Sequence, residues 1–184
     1  SIIYSENNMK KFIFEIEKIV NAIEKDANAK HYFLNGGCSH LANYLTPFFM
    51  KNNGFVEFAT FIFYDEEWDK IQINKIIDKK SKESLNSVIL NDIIMIDHIA
   101  IIHDDIIYDG HGINHKTFYE KNIMLKNNFV KKLRFEKDDF VEDFLDVLRE
   151  THIYGHHSPE ITKKKILEAL IKSSNAVSYT HLTL

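Results

Sequence analysis

A single cysteine, two prolines and six glycines stand in the 184 residues, and each shortage excludes something. One thiol cannot close an internal disulfide, so the chain is no disulfide-stapled scaffold, and a reducing, cytoplasmic setting is expected. No apolar run approaches the eighteen or more residues of a membrane-spanning helix, and no signal-peptide pattern opens the chain, so no membrane association is expected. An excess of positive charge is lacking too. The 23 Lys and Arg are interspersed with 27 Asp and Glu, giving a net charge of -4. Binders of phosphate backbones usually carry a basic stripe, so nucleic acid is not an expected partner. The lysine-rich run at 75–82 reads as solvated surface.

What remains is ordinary globular material: 45% hydrophobic and 27% charged residues, enough to build a core. We expect one domain over residues 1–172. The end of the chain, "AVSYTHLTL", follows neither helical nor strand periodicity, so 173–184 is read as a tail outside the core. Met9 is a candidate start, with upstream residues included. The wealth of lysine, isoleucine and asparagine fits an AT-rich bacterial or phage gene.

Apolar periodicity gives the elements. Phe12, Ile16, Ile19, Val20 and Ile23 recur at helical spacing and predict a helix over 10–25. "FLNGGC" interrupts it, and a second helix begins near Cys38, is bent or ended by Pro47, and closes at "KNNG", 51–54. "FVEFATFIFY", 55–64, is aromatic and β-branched on both faces and reads as a buried strand. Residues 65–92 are mixed, with "DKKSKESLNS" as a solvated excursion. "IIMIDHIAIIHDDIIYDG", 93–110, reads as two strands joined by a tight turn at Asp104–Asp105. A helix around 115–126, a strand at 129–135 and helices at 138–150 and 159–172 complete the chain. The fold class is α+β. An antiparallel sheet carries strands near 55–64, 93–103 and 106–109, the Cys38 helix packs across it, and the helices from 138 to 172 cover another surface.

The stretch "NGGCSHLANYL", 35–45, carries the chemistry. On a helix Cys38, Ala42, Leu45 and Phe49 share a face, with Leu41 and Phe48 alongside, so the thiol points toward the helix's packing partner. It also lies in the first turn, where the positive helix end favours a thiolate. Gly36 and Gly37 permit a sharp turn and close approach of backbone to a ligand. A nucleophilic thiol needs a base, and strand register supplies one. With Asp104–Asp105 as a two-residue turn, His103 faces Ile106, Ala100 faces Asp109, and His98 faces His111. His98, Ala100 and Asp109 then share one face, and Asp97 points to the other. The diagonal from His98 to Asp109 spans roughly 7–8 Å of backbone, within side-chain reach. A four-residue loop keeps this parity, whereas a three-residue loop breaks it.

A glycine-flanked cysteine at a helix start, followed by "DHIAIIHDDIIYDGHG", resembles the papain-like (NlpC/P60-related) cysteine hydrolases over residues 30–112. In order, Cys, His and Asp match. The resemblance implies Cys38 as nucleophile, His98 as general base, Asp109 as the orienting acid, and a protein or peptide substrate. Some enzymes of this kind place an amide side chain upstream of the cysteine to bind the oxyanion. Asn35 is the nearest candidate, Gly37 belongs to the same turn, and the Cys38 backbone N–H is another donor. His111 is expected to line the site and rivals His98 as base.

Each residue has a plainer reading. Cysteine is often a small core hydrophobe, His98 alone a half-buried strand histidine, and Asp109 before Gly110 a turn residue. Of the ten histidines, His40, His98, His103 and His111 are candidate zinc ligands together with Cys38. None falls in a paired spacing such as CxxC or HExxH, and "HIYGHH", 152–157, reads as a loop between helices, so no metal and no cofactor are expected. The competing reading is a small inhibitor or adaptor of phage or mobile-element origin, binding a protein partner on the same scaffold without catalysis.

Overall fold

The computed structural model describes residues 2–183 apart from 80, 92, 125–126, 138, 140 and 152–156. The histidine-rich segment 152–157 therefore lies largely outside the described residues. The predicted first helix runs longer than its apolar stripe, as α1 (Ile2–Lys25), and Phe12, Ile16, Ile19, Val20 and Ile23 are all buried. A short helix that the periodicity missed follows, α2 (Ala27–Leu34), capped by the Asp26 side chain on the Asn28 N–H. Helix α3 (Cys38–Asn53) begins at the cysteine, as expected. Pro47 neither ends nor divides it, for the helix continues six residues further to a left-handed cap at Gly54.

Strand β1 (Phe55–Phe63) comes next. Within the mixed stretch 65–92 the chain forms α4 (Glu67–Lys79) and α5 (Lys82–Leu90). The excursion read at 78–87 is helical over much of its length, with Ser81, Ser84 and Ser87 exposed and Leu85 buried. Then come β2 (Ile96–His103), β3 (Ile106–Asp109) and β4 (Gly112–His115). The last of these occupies ground between the predicted strand pair and the next helix. The chain continues with α6 (Lys116–Asn122), β5 (Asn128–Glu136), α7 (Val141–Thr151) and α8 (Pro159–Thr183). Helix α8 thus runs on through most of the segment read as a tail. Among the described residues no helix is long and apolar enough to cross a membrane.

The result is an α+β fold around a five-stranded antiparallel sheet in the order β4-β3-β2-β1-β5. Asp104 and Asp105 both adopt positive φ, 48° and 65°, the backbone of a two-residue hairpin turn whose twist matches its strands. Register follows: Ile101 faces Tyr108, Ile102 faces Ile107 and His103 faces Ile106. The parity on which the His98–Asp109 pairing depends is therefore kept. That ladder ends at Ile101 and Tyr108, because β3 turns directly into β4 with Asp109 opposite Gly112. His111 accordingly sits in a turn and does not face His98, as it would if the ladder continued.

The two faces of the sheet are covered unequally. On one, Leu41, Leu45 and Phe49 of α3 join a core with Phe58, Ile99 and Ile101. Burying each such side chain contributes about 1.5–3 kcal/mol. Of the late helices, α7 shares the face of the sheet that α3 covers, and α8 packs outside it on α1, α2 and α3. Phe144 of α7 meets Phe58 and Phe135 with ring centroids 6.0 and 4.9 Å away, on the face that α3 covers. The opposite face holds a small cluster of Ala59, Phe61, Ala100, Ile102, Ile107 and Tyr119.

Candidate active site

The thiol's position is set by two glycines. Gly36 takes φ 91°, a conformation that disfavours side chains, and swings the chain out of α2. Gly37 is the N-cap of α3 and lies so close to α2 that a Cβ on it would sit 2.4 Å from the Tyr32 carbonyl oxygen. No side chain fits there without moving one helix against the other. Gly37→Ala is expected to cost about 1–3 kcal/mol, as overpacking of a close contact does. It should also slow alkylation of Cys38, because the helix start that carries the thiol must shift. A urea unfolding curve and a labelling rate check both.

Cys38 itself is 7% exposed and belongs to the core beneath α3. His98 and Asp109 share their parity with Ala100, and so emerge on the opposite, α6 side, where the His98 ring lies 5.3 Å from that of Phe61. The groups meet near the start of β2, beyond the last rung of its ladder with β3. There the pairing of β1 with β2 slips: Phe61 faces His98 but Ile62 faces Ile96, leaving Asp97 as the extra residue of a bulge. A bulge bends its strand and re-aims the neighbouring side chain. Simple alternation along β2 is therefore broken at Asp97, directly before His98.

The polar contacts are short. His98 Nε2 donates to Asp109 Oδ2 at 2.7 Å, and the Cys38 side chain is hydrogen-bonded to the same imidazole. With Nε2 engaged by the carboxylate, Nδ1 is the nitrogen left for the thiol. Asp109, 2% exposed, also accepts from the Tyr119 hydroxyl on Oδ2 at 2.7 Å and from the His111 backbone N–H on Oδ1 at 2.8 Å.

These contacts decide the charges. Burial alone would lower the His98 pKa, but its hydrogen bonds and charge interactions with Asp109 and Cys38 prevail, and it is pushed up to about 10. Burial would likewise raise the Asp109 carboxyl, yet the bond and charge of His98, aided by the Tyr119 hydroxyl, hold it below its ordinary range. The site is thus built to hold an imidazolium against a carboxylate. Burial raises the Tyr119 phenol further, with Asp109 adding to the effect, so its proton stays on. Burial lowers the His111 imidazole, and His98 and Lys30 add to this against the pull of Asp109. His111 is therefore poorly suited to hold a proton, although its ring lies 6.4 Å from that of His98 and lines the site.

The other predicted site residues divide. Cys38, His98 and Asp109 are brought together, with His111 at their edge and Gly37 as the N-cap of the helix that the cysteine begins. Asn35 is not brought to the thiol's service: its amide nitrogen donates to the His31 carbonyl at 2.8 Å and meets His31 Nδ1 at 3.2 Å, capping α2. His40 stacks on His157, and His103 packs against Phe49. Burial, Arg149 and His157 lower the His40 pKa to about 4. Among the described residues no three His, Cys, Asp or Glu side chains are grouped to hold a metal ion.

Tyr119 is the member of the site that sequence reasoning missed. Its helix has only seven residues, too few for periodicity to mark a buried face. The available signal was an aromatic residue with a polar tip ten positions beyond Asp109, just after a strand, and such residues are common. Compared with known proteins, the chain matches no family model, no curated protein and no solved structure.

Proposed function

We propose that this chain is a papain-like cysteine hydrolase that cleaves an amide bond of a protein or peptide through a thioester on Cys38. The observation that carries the proposal is the linked contact from the Cys38 thiol through His98 to Asp109, set at the start of α3. A chance core cysteine needs no buried imidazole aligned by a buried carboxylate. In the proposed cycle the Cys38 thiolate attacks the carbonyl carbon, and the helix start stabilises the oxyanion that forms. The tetrahedral species collapses as the His98 imidazolium gives its proton to the departing amine, leaving the thioester. Neutral His98 then takes a proton from water, which attacks the thioester carbonyl. The acid departs and Cys38 returns as the thiolate beside a reprotonated His98. A deamidase follows the same course, with ammonia as the leaving group.

The covalent step is tested with an activated ester, which asks nothing of substrate specificity. Mixing the protein with p-nitrophenyl acetate at neutral pH should release a rapid burst of one equivalent of nitrophenolate. Intact mass should then show one acetyl group, mapped to Cys38. His98→Ala should abolish the burst. A wild-type trace no faster than Cys38→Ala would overturn the hydrolase reading and favour a binding protein on this scaffold.

A further inference from the structure

The proposed cycle makes contradictory demands on His98. It must hold a proton firmly enough to keep Cys38 ionised, then release that proton to the leaving amine. A buried carboxylate bonded to Nε2 alone serves the first demand and hinders the second. The structure contains a group able to moderate that grip.

We propose that Tyr119 is a positioning residue of this site, acting through Asp109 to limit how strongly the carboxylate stabilises the His98 imidazolium and so how readily Nδ1 gives up its proton. Resting as it does on the reading of Cys38 and His98 as a working pair, it assigns one more residue to that pair. The Tyr119 hydroxyl and His98 Nε2 both donate to one oxygen, Asp109 Oδ2, each at 2.7 Å. Two donors on one oxygen share its electron density, so each bond is weaker than it would be alone. The arrangement is rigid. Tyr119 is 2% exposed, its ring lies 4.9 Å from Phe61, and it stacks within 14° of the His98 plane at 6.2 Å. The carboxylate does not need Tyr119 for its aim, because the His111 N–H holds Oδ1 independently at 2.8 Å. The hydroxyl's effect is therefore electronic, and phenylalanine can fill the same space without it.

A core tyrosine whose hydroxyl merely found a partner would produce the same contact, so the test must read something packing does not move. Titration of the His98 ring, followed by NMR with labelled histidine and assigned by loss of its signal in His98→Gln, is that readout. In Tyr119→Phe the His98 midpoint should rise by about half a pH unit to one unit, the size expected from returning part of a charged hydrogen bond to one partner. Tyr119→3-fluorotyrosine, a stronger donor of nearly the same shape, should move it the other way. Should the phenylalanine variant fail to fold, the fluorotyrosine protein alone decides. A wild-type midpoint far above 6.5 that neither variant shifts overturns the role of Tyr119 and leaves the Cys38–His98 pair standing. A wild-type midpoint near 6.5 overturns the pair itself, and this inference with it.

Discussion

Replacing Asp109 by alanine is expected to destabilise the protein by about 3–5 kcal/mol, the usual cost of removing one member of a buried charged pair. The variant leaves three donors facing a void: the His98 ring nitrogen, the Tyr119 hydroxyl and the His111 N–H. These belong to β2, α6 and the β3–β4 turn, so one carboxylate ties three elements together at the thin face of the sheet. Against a total stability of 5–15 kcal/mol typical of small domains, the loss is large. Asp109→Asn, which keeps the shape and one acceptor, should lose less. Urea midpoints at matched slope separate the three proteins.

The pH dependence of that loss has a definite sign. His98 is raised from 6.5 to about 10, so its contribution is fully present below pH 6.5 and disappears as pH rises through 10. Asp109 is lowered from 3.8, so its contribution is present above that value and is lost as pH falls below it. The difference between wild type and Asp109→Ala should therefore be greatest between about pH 4 and 6.5, shrinking on either side. A difference that stays constant from pH 3 to 10 would mean that the pair is not charged in the folded state.

The sequence carried the site's ingredients because short-range rules set them. Gly36 and Gly37 before an apolar run mark the start of α3, and a consecutive Asp pair suits a turn that requires positive φ. Given that turn, strand parity brings His98 and Asp109 onto one face, and a contact eleven residues apart can be counted. What could not be counted depends on longer-range or weaker signals. The four residues of β4 contain no alternation, and their pairing with β3 moves His111 into a turn. The bulge at Asp97 is a relation between two strands, invisible along either one. Pro47 stays within α3 because tertiary burial on both sides of it, at Leu45 and Phe49, outweighs one lost backbone bond. The helix also covers the sheet face opposite to the one bearing His98. That geometry comes from packing among α1, α3, α7 and α8, and local periodicity does not encode it.

The largest effect on chemistry is expected from His98→Ala, read on the only thiol in the chain. In the wild type, the imidazolium beside Cys38 should keep the sulfur ionised well below neutral pH. Alkylation by iodoacetamide should then remain rapid at pH 6. Without the imidazole, the thiol should titrate near the ordinary value of about 8.5, leaving well under one per cent ionised at pH 6. Labelling there should slow by about a hundredfold, with less difference at pH 9, where both sulfurs are largely ionised.

That pH profile of Cys38 alkylation, in wild type and His98→Ala, decides whether the thiol and the imidazole form a working pair. The wild-type rate should persist below neutrality, and the variant rate should rise only near pH 8.5. Two superimposed profiles, both rising near pH 8.5, would contradict such a pair and leave Cys38 a buried core residue with an unused neighbour.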